Sequence, residues 1–145
     1  MTKGLAWLLR PDGHHGIGEG LLGRLLERVG MTGEPGWPVT VVVEETREDT
    51  RADLVVRTPN GCVLVEAKLG APERPRQCER LERLWADESP SFVFLTRDGR
   101  APTTATTDWV ALRWSEVAVM LREALPDQPG GGALDFLTTL ETFYR

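Results

Sequence analysis

Hydrophobic residues in the first thirty positions recur with the spacing of an α-helix. Four leucines and a valine between positions 21 and 29 fall on one helical face, and the next residue is a glycine that ends the pattern. A shorter apolar stretch, 5–9, precedes them and stops before Pro11, which predicts a short helix or turn. His14 and His15 lie in the glycine-rich turn between the two segments, where we expect both imidazoles to be exposed to solvent.

Three β-type runs follow. The first, 39–45, is rich in valine, and a polar turn at 46–50 separates it from the second run at 52–57. The third run, 62–68, is joined to the second by Thr-Pro-Asn-Gly at 58–61, and an Asn-Gly pair is typical of a tight hairpin. The pattern predicts a three-stranded antiparallel meander.

The next elements alternate between helix and strand. Residues 76–85 predict a helix with an apolar inner face, and 91–96 form a nearly continuous apolar run, as in a strand that is covered on both sides. Because a helix separates this strand from the third one, we expect the two to be parallel, with the new strand central in the sheet.

The remaining residues predict a short strand at 109–112 and a helix at 116–125 that Ser115 caps. A flexible glycine-rich hinge at 126–132 then leads to a final helix at 133–144, which is apolar enough to dock on the domain or on another copy. The complete order predicts an α/β fold of the α+β type: an αβββαβ core with a mixed central sheet flanked by helices, and an extra C-terminal helix.

The size and composition of the chain indicate one globular domain, 1–145. Hydrophobic residues make up 41% of the 145 positions and charged residues 27%. No apolar run approaches the roughly 20 residues that span a bilayer, and no signal peptide is visible, so we expect a cytoplasmic protein with no membrane partner. Cys62 and Cys78 fit a reducing compartment, as buried thiols.

Charged side chains interrupt the apolar hairpin at its open end. In an antiparallel pair, Asp53 near the start of one strand should lie close to Glu66 and Lys68 at the end of the next, and the latter two share a face. Two interpretations are open. Divalent cations such as Mg²⁺ or Mn²⁺ take carboxylate oxygens, which makes the set a candidate metal site. Alternatively, Lys68 forms a strand-end salt bridge with either acid.

Two further polar residues fall near this end of the sheet. Glu45 ends the first strand and is a candidate for an additional carboxylate ligand; its other interpretation is a solvated strand end. Gln77 lies in the first turn of the predicted helix, at the edge of the buried face. There it is suited to bond a metal-bound water or a phosphate, unless it is an ordinary exposed helix residue.

The spacing Asp53-x12-Glu66-x-Lys68, followed by a helix carrying Gln77, resembles the PD-(D/E)xK nuclease superfamily. The opening Ala-Trp-Leu-Leu-Arg-Pro-Asp-Gly-His-His-Gly at 6–16 is similar to that of a bacterial branch of PD-(D/E)xK-like proteins. The resemblance implies a restriction-endonuclease-like fold and a metal-dependent nuclease that hydrolyses phosphodiester bonds, with DNA as the expected substrate.

The resemblance also implies roles for individual residues. Asp53 and Glu66 would bind Mg²⁺ or Mn²⁺, with the backbone carbonyl of Ala67 as a further ligand. Lys68 would position the attacking water or stabilise the developing negative charge, and Gln77 would support the site. The second-tier candidates are Glu19, Arg51 and Arg76.

The net charge of −5 argues against a broad electrostatic grip on nucleic acid. The negative charge would be partly offset around the site by a group of arginines, at positions 47, 51, 57, 74, 76, 80 and 83. A homodimer or a partner subunit, held through the C-terminal helix, would help further. The alternative function is a nuclease-like subunit that no longer cleaves and serves as a binding module for nucleic acid or protein. Small members of the superfamily also suggest a role in antiphage defence.

Overall fold

A computed structural model describes residues 1–34 and 36–143, which form a five-stranded sheet and five α-helices. The helices are α1 (Thr2–Leu9), α2 (Gly20–Arg28), α3 (Gln77–Leu84), α4 (Trp114–Ala124) and α5 (Gly131–Phe143). The strands are β1 (Thr40–Arg47), β2 (Thr50–Thr58), β3 (Gly61–Ala67), β4 (Ser91–Thr96) and β5 (Trp109–Arg113). A 3-10 helix, Ala86–Glu88, follows α3. None of the described helices has the length and apolar character that crossing a membrane requires.

The strands lie in chain order across the sheet, from β1 to β5. The β1–β2 and β2–β3 pairs are antiparallel, as the hairpin turns predict, and the β3–β4 and β4–β5 pairs are parallel. The predicted mixed sheet and the parallel pairing after the α3 crossover are therefore confirmed. Strand β4 lies between β3 and β5 and is therefore an interior strand, as predicted, while β3 is the middle strand of the five.

The two faces of the sheet are covered unequally. Leu54 and Val65 point to the larger core, which also holds apolar side chains of α1, α2, α4 and α5. Val55 and Leu64 point to the opposite face and pack with Trp85, directly after α3. Helix α3 and the 3-10 helix after it cover this second face, and the strand ends beside the first turn of α3 line an open cleft, where the candidate site lies.

The start of α4 differs from the predicted one. β5 continues into the helix without a loop, and Trp114, which is fully buried, is the first helical residue. Glu116 caps this end, since its Oε1 accepts a hydrogen bond from the backbone N–H of Arg113 at 3.1 Å. Ser115 is therefore inside the helix, and the prediction that it is the cap was wrong.

His15 is buried, contrary to the expectation of a solvated imidazole. Its Nε2 lies 2.8 Å from the carbonyl oxygen of Arg10, and its Nδ1 accepts a hydrogen bond from the N–H of Ile17 at 3.0 Å. The ring also meets Trp7 edge to face. The imidazole thus holds the turn between α1 and α2 in place.

The segment predicted as a hinge is partly helical. Gly131 and Gly132 begin α5, and the N–H of Gly130 lies 3.4 Å from the carbonyl oxygen of His15. Helix α5 docks on the domain through three buried side chains: Ala133, Leu137 and Leu140. The predicted end of this helix at Tyr144 lies outside the described residues.

Both cysteines are free and buried, as predicted. Burial raises the pKa of Cys62 to about 11 and that of Cys78 to about 12. Neither thiol is therefore activated as a nucleophile.

Candidate active site

A local twist in β1 and β2 sets the position of Asp53. The ladder between these strands is paired on both sides of Glu44 and Asp53 but not between them, and Glu44 has a φ of +55°, which is uncommon outside glycine. Leu54 belongs to the larger core, whereas Ala52, two residues away, packs on the α3 face. The strand therefore turns over at Asp53. Its Oδ2 accepts a hydrogen bond from the backbone N–H of Ala67 at 2.9 Å.

The Asp53 carboxyl meets that of Glu66 at the end of β3. Glu66 is only 2% exposed. Burial, together with a hydrogen bond to the Asp53 carboxyl and that group's negative charge, raises the pKa of Glu66 well above its ordinary value. A hydrogen bond between two carboxyls requires a proton on one of them. The pair is therefore a site where a positive charge would be strongly favoured.

Lys68 follows β3 directly and lies beside this pair. Its backbone N–H donates to the carbonyl oxygen of Leu95 at 2.9 Å, which fixes the chain at this point. The Lys68 charge acts to lower the pKa of Glu66, against burial. In residues 1–34 and 36–143, however, no carboxylate oxygen lies within 4.0 Å of the ammonium. The strand-end salt bridge of the alternative interpretation is not formed.

Gln77, the first residue of α3, is oriented by bonds at both ends of its amide. Nε2 donates to Glu66 Oε2 at 2.7 Å, and Oε1 accepts from the backbone N–H of Arg74 at 3.0 Å. The side chain is half-buried, so it is not an ordinary exposed helix residue. It supports Glu66 directly.

These four side chains line one open cleft of about 400 Å³. Its lining comprises Asp49, Thr50, Arg51, Asp53, Glu66, Ala67, Lys68, Leu69, Ala71, Arg74, Pro75, Gln77 and Arg80. Three arginines and a lysine face three acids there, and one acid, Asp49, lies 3.6 Å from Arg80. Because the four cationic side chains outnumber the three acids, the cleft has a local excess of positive charge although the whole chain is acidic.

Glu45 does not join the pair, and its prediction as a further ligand is not supported by the geometry. Both of its carboxylate oxygens accept from Arg57, at 2.8 and 2.7 Å, and one accepts from Trp85 Nε1 at 2.7 Å. Arg57 also donates to both oxygens of Glu88, at 2.6 and 2.8 Å. The hydrogen bonds from Arg57 hold the pKa of Glu45 below its ordinary value. This network fastens the 3-10 helix to β1 and β2.

Two second-tier candidates also lie elsewhere. Glu19 binds the backbone N–H of Gly36 through Oε1 at 2.7 Å, next to α2, and does not line the cleft. Arg76 has a left-handed backbone and donates to Glu79 at 2.9 Å on the surface. Arg51, the third, does line the cleft. The twist at Glu44, which was not predicted, precedes Glu45, whose carboxylate binds Arg57 and not the acid pair.

The sequence-based interpretation missed the threonines of the β4–β5 connection. Four threonines bind two carboxylates, that of Glu73 just before α3 and that of Glu82 in its second turn: Thr103, Thr104, Thr106 and Thr107. The repeated Thr-Thr pairs, only one residue apart, were the available signal.

A divalent metal would depend on few protein ligands here. Among the described residues, no group of three or more His, Cys, Asp or Glu side chains is placed to hold a metal ion. Two adjacent carboxylates remain, and Mg²⁺ commonly uses one or two carboxylates, with water and substrate phosphate completing its shell. The adjacent carboxyls of Asp53 and Glu66 fit this requirement, because a bound cation would offset the repulsion between them that raises the pKa of Glu66.

Comparison of the chain with family models, with curated proteins and with solved structures found no match.

Proposed function

We propose that this protein is a metal-dependent nuclease that hydrolyses phosphodiester bonds, with DNA as the first substrate to test. One observation carries the proposal: Asp53 and Glu66 meet at an open cleft next to Lys68, whose ammonium has no carboxylate partner in the described chain. Paired acids favour a divalent cation, and the surrounding cations favour an anionic substrate such as a phosphodiester.

The residues around the acid pair hold it in one geometry. The Ala67 N–H fixes Asp53, and the Gln77 amide fixes Glu66. A Mg²⁺ or Mn²⁺ ion bound by these carboxylates would neutralise phosphate charge and increase the acidity of an attacking water. Ala67 remains a candidate for a third ligand through its backbone carbonyl.

Lys68 is suited to stabilise the negative charge that develops on the phosphate. A lysine that is already ion-paired has less charge to offer, whereas the Lys68 ammonium lies in the cleft within reach of a bound anion. Arg51 and Arg74, both exposed at the cleft, are placed to contact neighbouring phosphates. The order of elements and the mixed sheet support a restriction-endonuclease-like core as part of this proposal.

The test is a cleavage assay with duplex DNA, single-stranded DNA and RNA, in Mg²⁺, Mn²⁺ or a chelator. We expect cleavage only with metal, and a loss of about 100-fold or more in Asp53→Asn and in Lys68→Met. Lysine occurs at only one other position, so the exposed Lys3→Met is the matched control and should retain full activity.

The assay also separates the proposal from its alternative. Metal-dependent binding of nucleic acid without cleavage, weakened by Lys68→Met but not by Lys3→Met, would show a binding module. If the folded protein shows no cleavage and no binding, both functions are excluded.

A further inference from the structure

Two glutamates, one just before α3 and one within it, each accept hydrogen bonds from a pair of adjacent threonines. Thr103 donates its N–H and its hydroxyl to Glu73 Oε2, both at 2.9 Å, and Thr104 donates its N–H and hydroxyl to Glu73 Oε1 at 3.1 and 2.7 Å. We call these three residues the first clamp. Glu82 with Thr106 and Thr107 forms the second clamp, again through N–H and hydroxyl groups.

The first clamp also caps the start of α3. The residue at the N-cap position, Arg76, contributes no side-chain cap, and its backbone is left-handed. Thr104 Oγ1 takes over this role, because it accepts the N–H of Cys78 at 2.9 Å while it donates to Glu73. A residue 26 positions away along the chain therefore satisfies a free donor of the first helical turn.

The first clamp is the main attachment of the loop between the two halves of the candidate site. Residues 69–76 join Lys68 to Gln77, and all of them except Glu73 are exposed. Glu73 therefore connects this loop to the β4–β5 connection through four hydrogen bonds. The other anchor is the pair of contacts between Arg74 and Gln77.

We infer that the first clamp positions Gln77 against Glu66, so that Glu73 and Thr104 are positioning residues of the candidate active site. Loss of the Thr104 hydroxyl removes both the helix cap and one bond to Glu73, so the N–H of Cys78 loses its partner and the first turn of α3, which carries Gln77, is held less firmly. The consequence for catalysis rests on the proposed function; the positioning of Gln77 does not.

The charge on Glu73 strengthens this attachment. Burial works to raise the pKa of Glu73, but the hydrogen bonds from Thr103 and Thr104 outweigh it and hold the pKa at about 2. The carboxylate is ionised at neutral pH, which makes its bonds charge-assisted.

The second clamp provides a matched control. Glu82 lies in the second half of α3 and also accepts from Trp109 Nε1 at 2.8 Å. That half of the helix is further held by buried Leu81 and Trp85. Removing one threonine hydroxyl there leaves the first turn in place.

The experiment compares Thr104→Val with Thr106→Val, which delete the same group from the two clamps, and with Thr104→Ser, which keeps the hydroxyl. The readout is the side-chain amide of Gln77 in ¹H–¹⁵N NMR spectra, identified by its loss in Gln77→Met. We expect the solvent exchange of this amide to rise about tenfold or more in Thr104→Val only. Metal-dependent cleavage should fall about tenfold in kcat in the same variant, with KM retained and with rescue in Thr104→Ser.

Unchanged Gln77 signals in folded Thr104→Val would overturn the inference, whatever the activity of the protein, and so would an equal change in Thr106→Val. Should Thr104→Val fail to fold, Glu73→Gln gives the same answer, because the amide nitrogen that this substitution introduces cannot accept a hydrogen bond from a threonine. If the wild type has no nuclease activity but Thr104→Val still shows the NMR effect, the proposed function is wrong and the positioning role stands.

Discussion

At the scale of single residues, Glu66 has the most unusual environment in the cleft. Its carboxyl is buried, touches a second carboxyl, and accepts a hydrogen bond from an amide. Like charges in contact disfavour ionisation of both groups, so the neutral form of Glu66 is stabilised in the folded chain. The folded protein therefore binds a proton here that the unfolded chain releases.

This environment predicts how stability depends on pH when metal is absent. The pKa of Glu66 in the folded state lies above its ordinary value of 4.5. The protonated carboxyl therefore contributes its full stabilisation of the fold below about pH 4.5, and this stabilisation is lost as the pH rises through the folded pKa. The isosteric Glu66→Gln can still donate to Asp53 and accept from Gln77. We expect this variant to gain about 1 kcal/mol or more relative to wild type between about pH 5 and about pH 8, measured by urea unfolding with a chelator.

Glu73→Gln is the control for this measurement. The pKa of Glu73 is lowered to about 2, so its stabilising contribution is present above 4.5 and is lost only as pH falls toward 2. The stability difference between this variant and wild type should therefore stay constant between about pH 5 and about pH 8. Parallel pH profiles for wild type and Glu66→Gln would contradict the assigned state of the acid pair.

At the scale of elements, the attachment of α5 depends on close approach rather than on flexibility. A Cβ atom at Gly132 would lie 2.9 Å from Trp7 Cη2, and Trp7 is itself packed on His15. A Cβ at Gly131 would meet nothing within 4 Å. The first two residues of α5, Gly131 and Gly132, thus have different roles although they are neighbours.

The two glycines give a matched pair of substitutions. Gly132→Ala must displace the Trp7 ring, and we expect it to lower the free energy of unfolding by about 1–3 kcal/mol. Gly131→Ala should change the free energy by less than about 1 kcal/mol, toward greater stability, because alanine is the better helix former. Urea unfolding of both variants tests this. Equal effects would mean that α5 does not pack on Trp7 in this manner.

At the scale of the whole molecule, charge is distributed unevenly. The chain has a net charge of −5, and many arginines are paired with acids, as Arg57 is with Glu45 and Glu88. Arg51 and Arg74 have no carboxylate partner within 4.0 Å in the described ranges, and both line the cleft. Binding of nucleic acid would therefore involve few phosphates at short range.

This distribution predicts a modest salt dependence for nucleic-acid binding. With about three phosphates neutralised, the logarithm of the binding constant for duplex DNA should fall with log salt with a slope of about −3. Arg51→Gln and Arg74→Gln should each reduce that slope by about 1. The control is Arg122→Gln, in an exposed pair with Glu141 on α4 and α5.

Fluorescence anisotropy over a salt series, in an Asp53→Asn background that prevents cleavage, measures these slopes. An equal effect of Arg122→Gln would place the binding surface outside the cleft.

Local sequence patterns determined the elements and the acid pair. Apolar periodicity predicted the order of helices and strands, and the tight turn at Pro59 and Asn60, which pairs Thr58 with Gly61, fixed the register that brings Asp53 to Glu66. The place of Gln77 could also be predicted from the sequence, because chain order puts it in a helix directly after this hairpin. These features depend on residues close in sequence.

Tertiary structure alone decided where the other polar side chains went. The left-handed backbone at Glu44 twists β1, and Glu45 then binds Arg57. Buried His15 holds the turn between two helices, and Thr104 accepts the N–H of Cys78, 26 positions earlier in the chain. Periodicity shows which side chains share a face, but buried polar groups take whichever partners the packed elements bring within hydrogen-bonding distance. Those partners are distant in sequence, so only the assembled fold determines them.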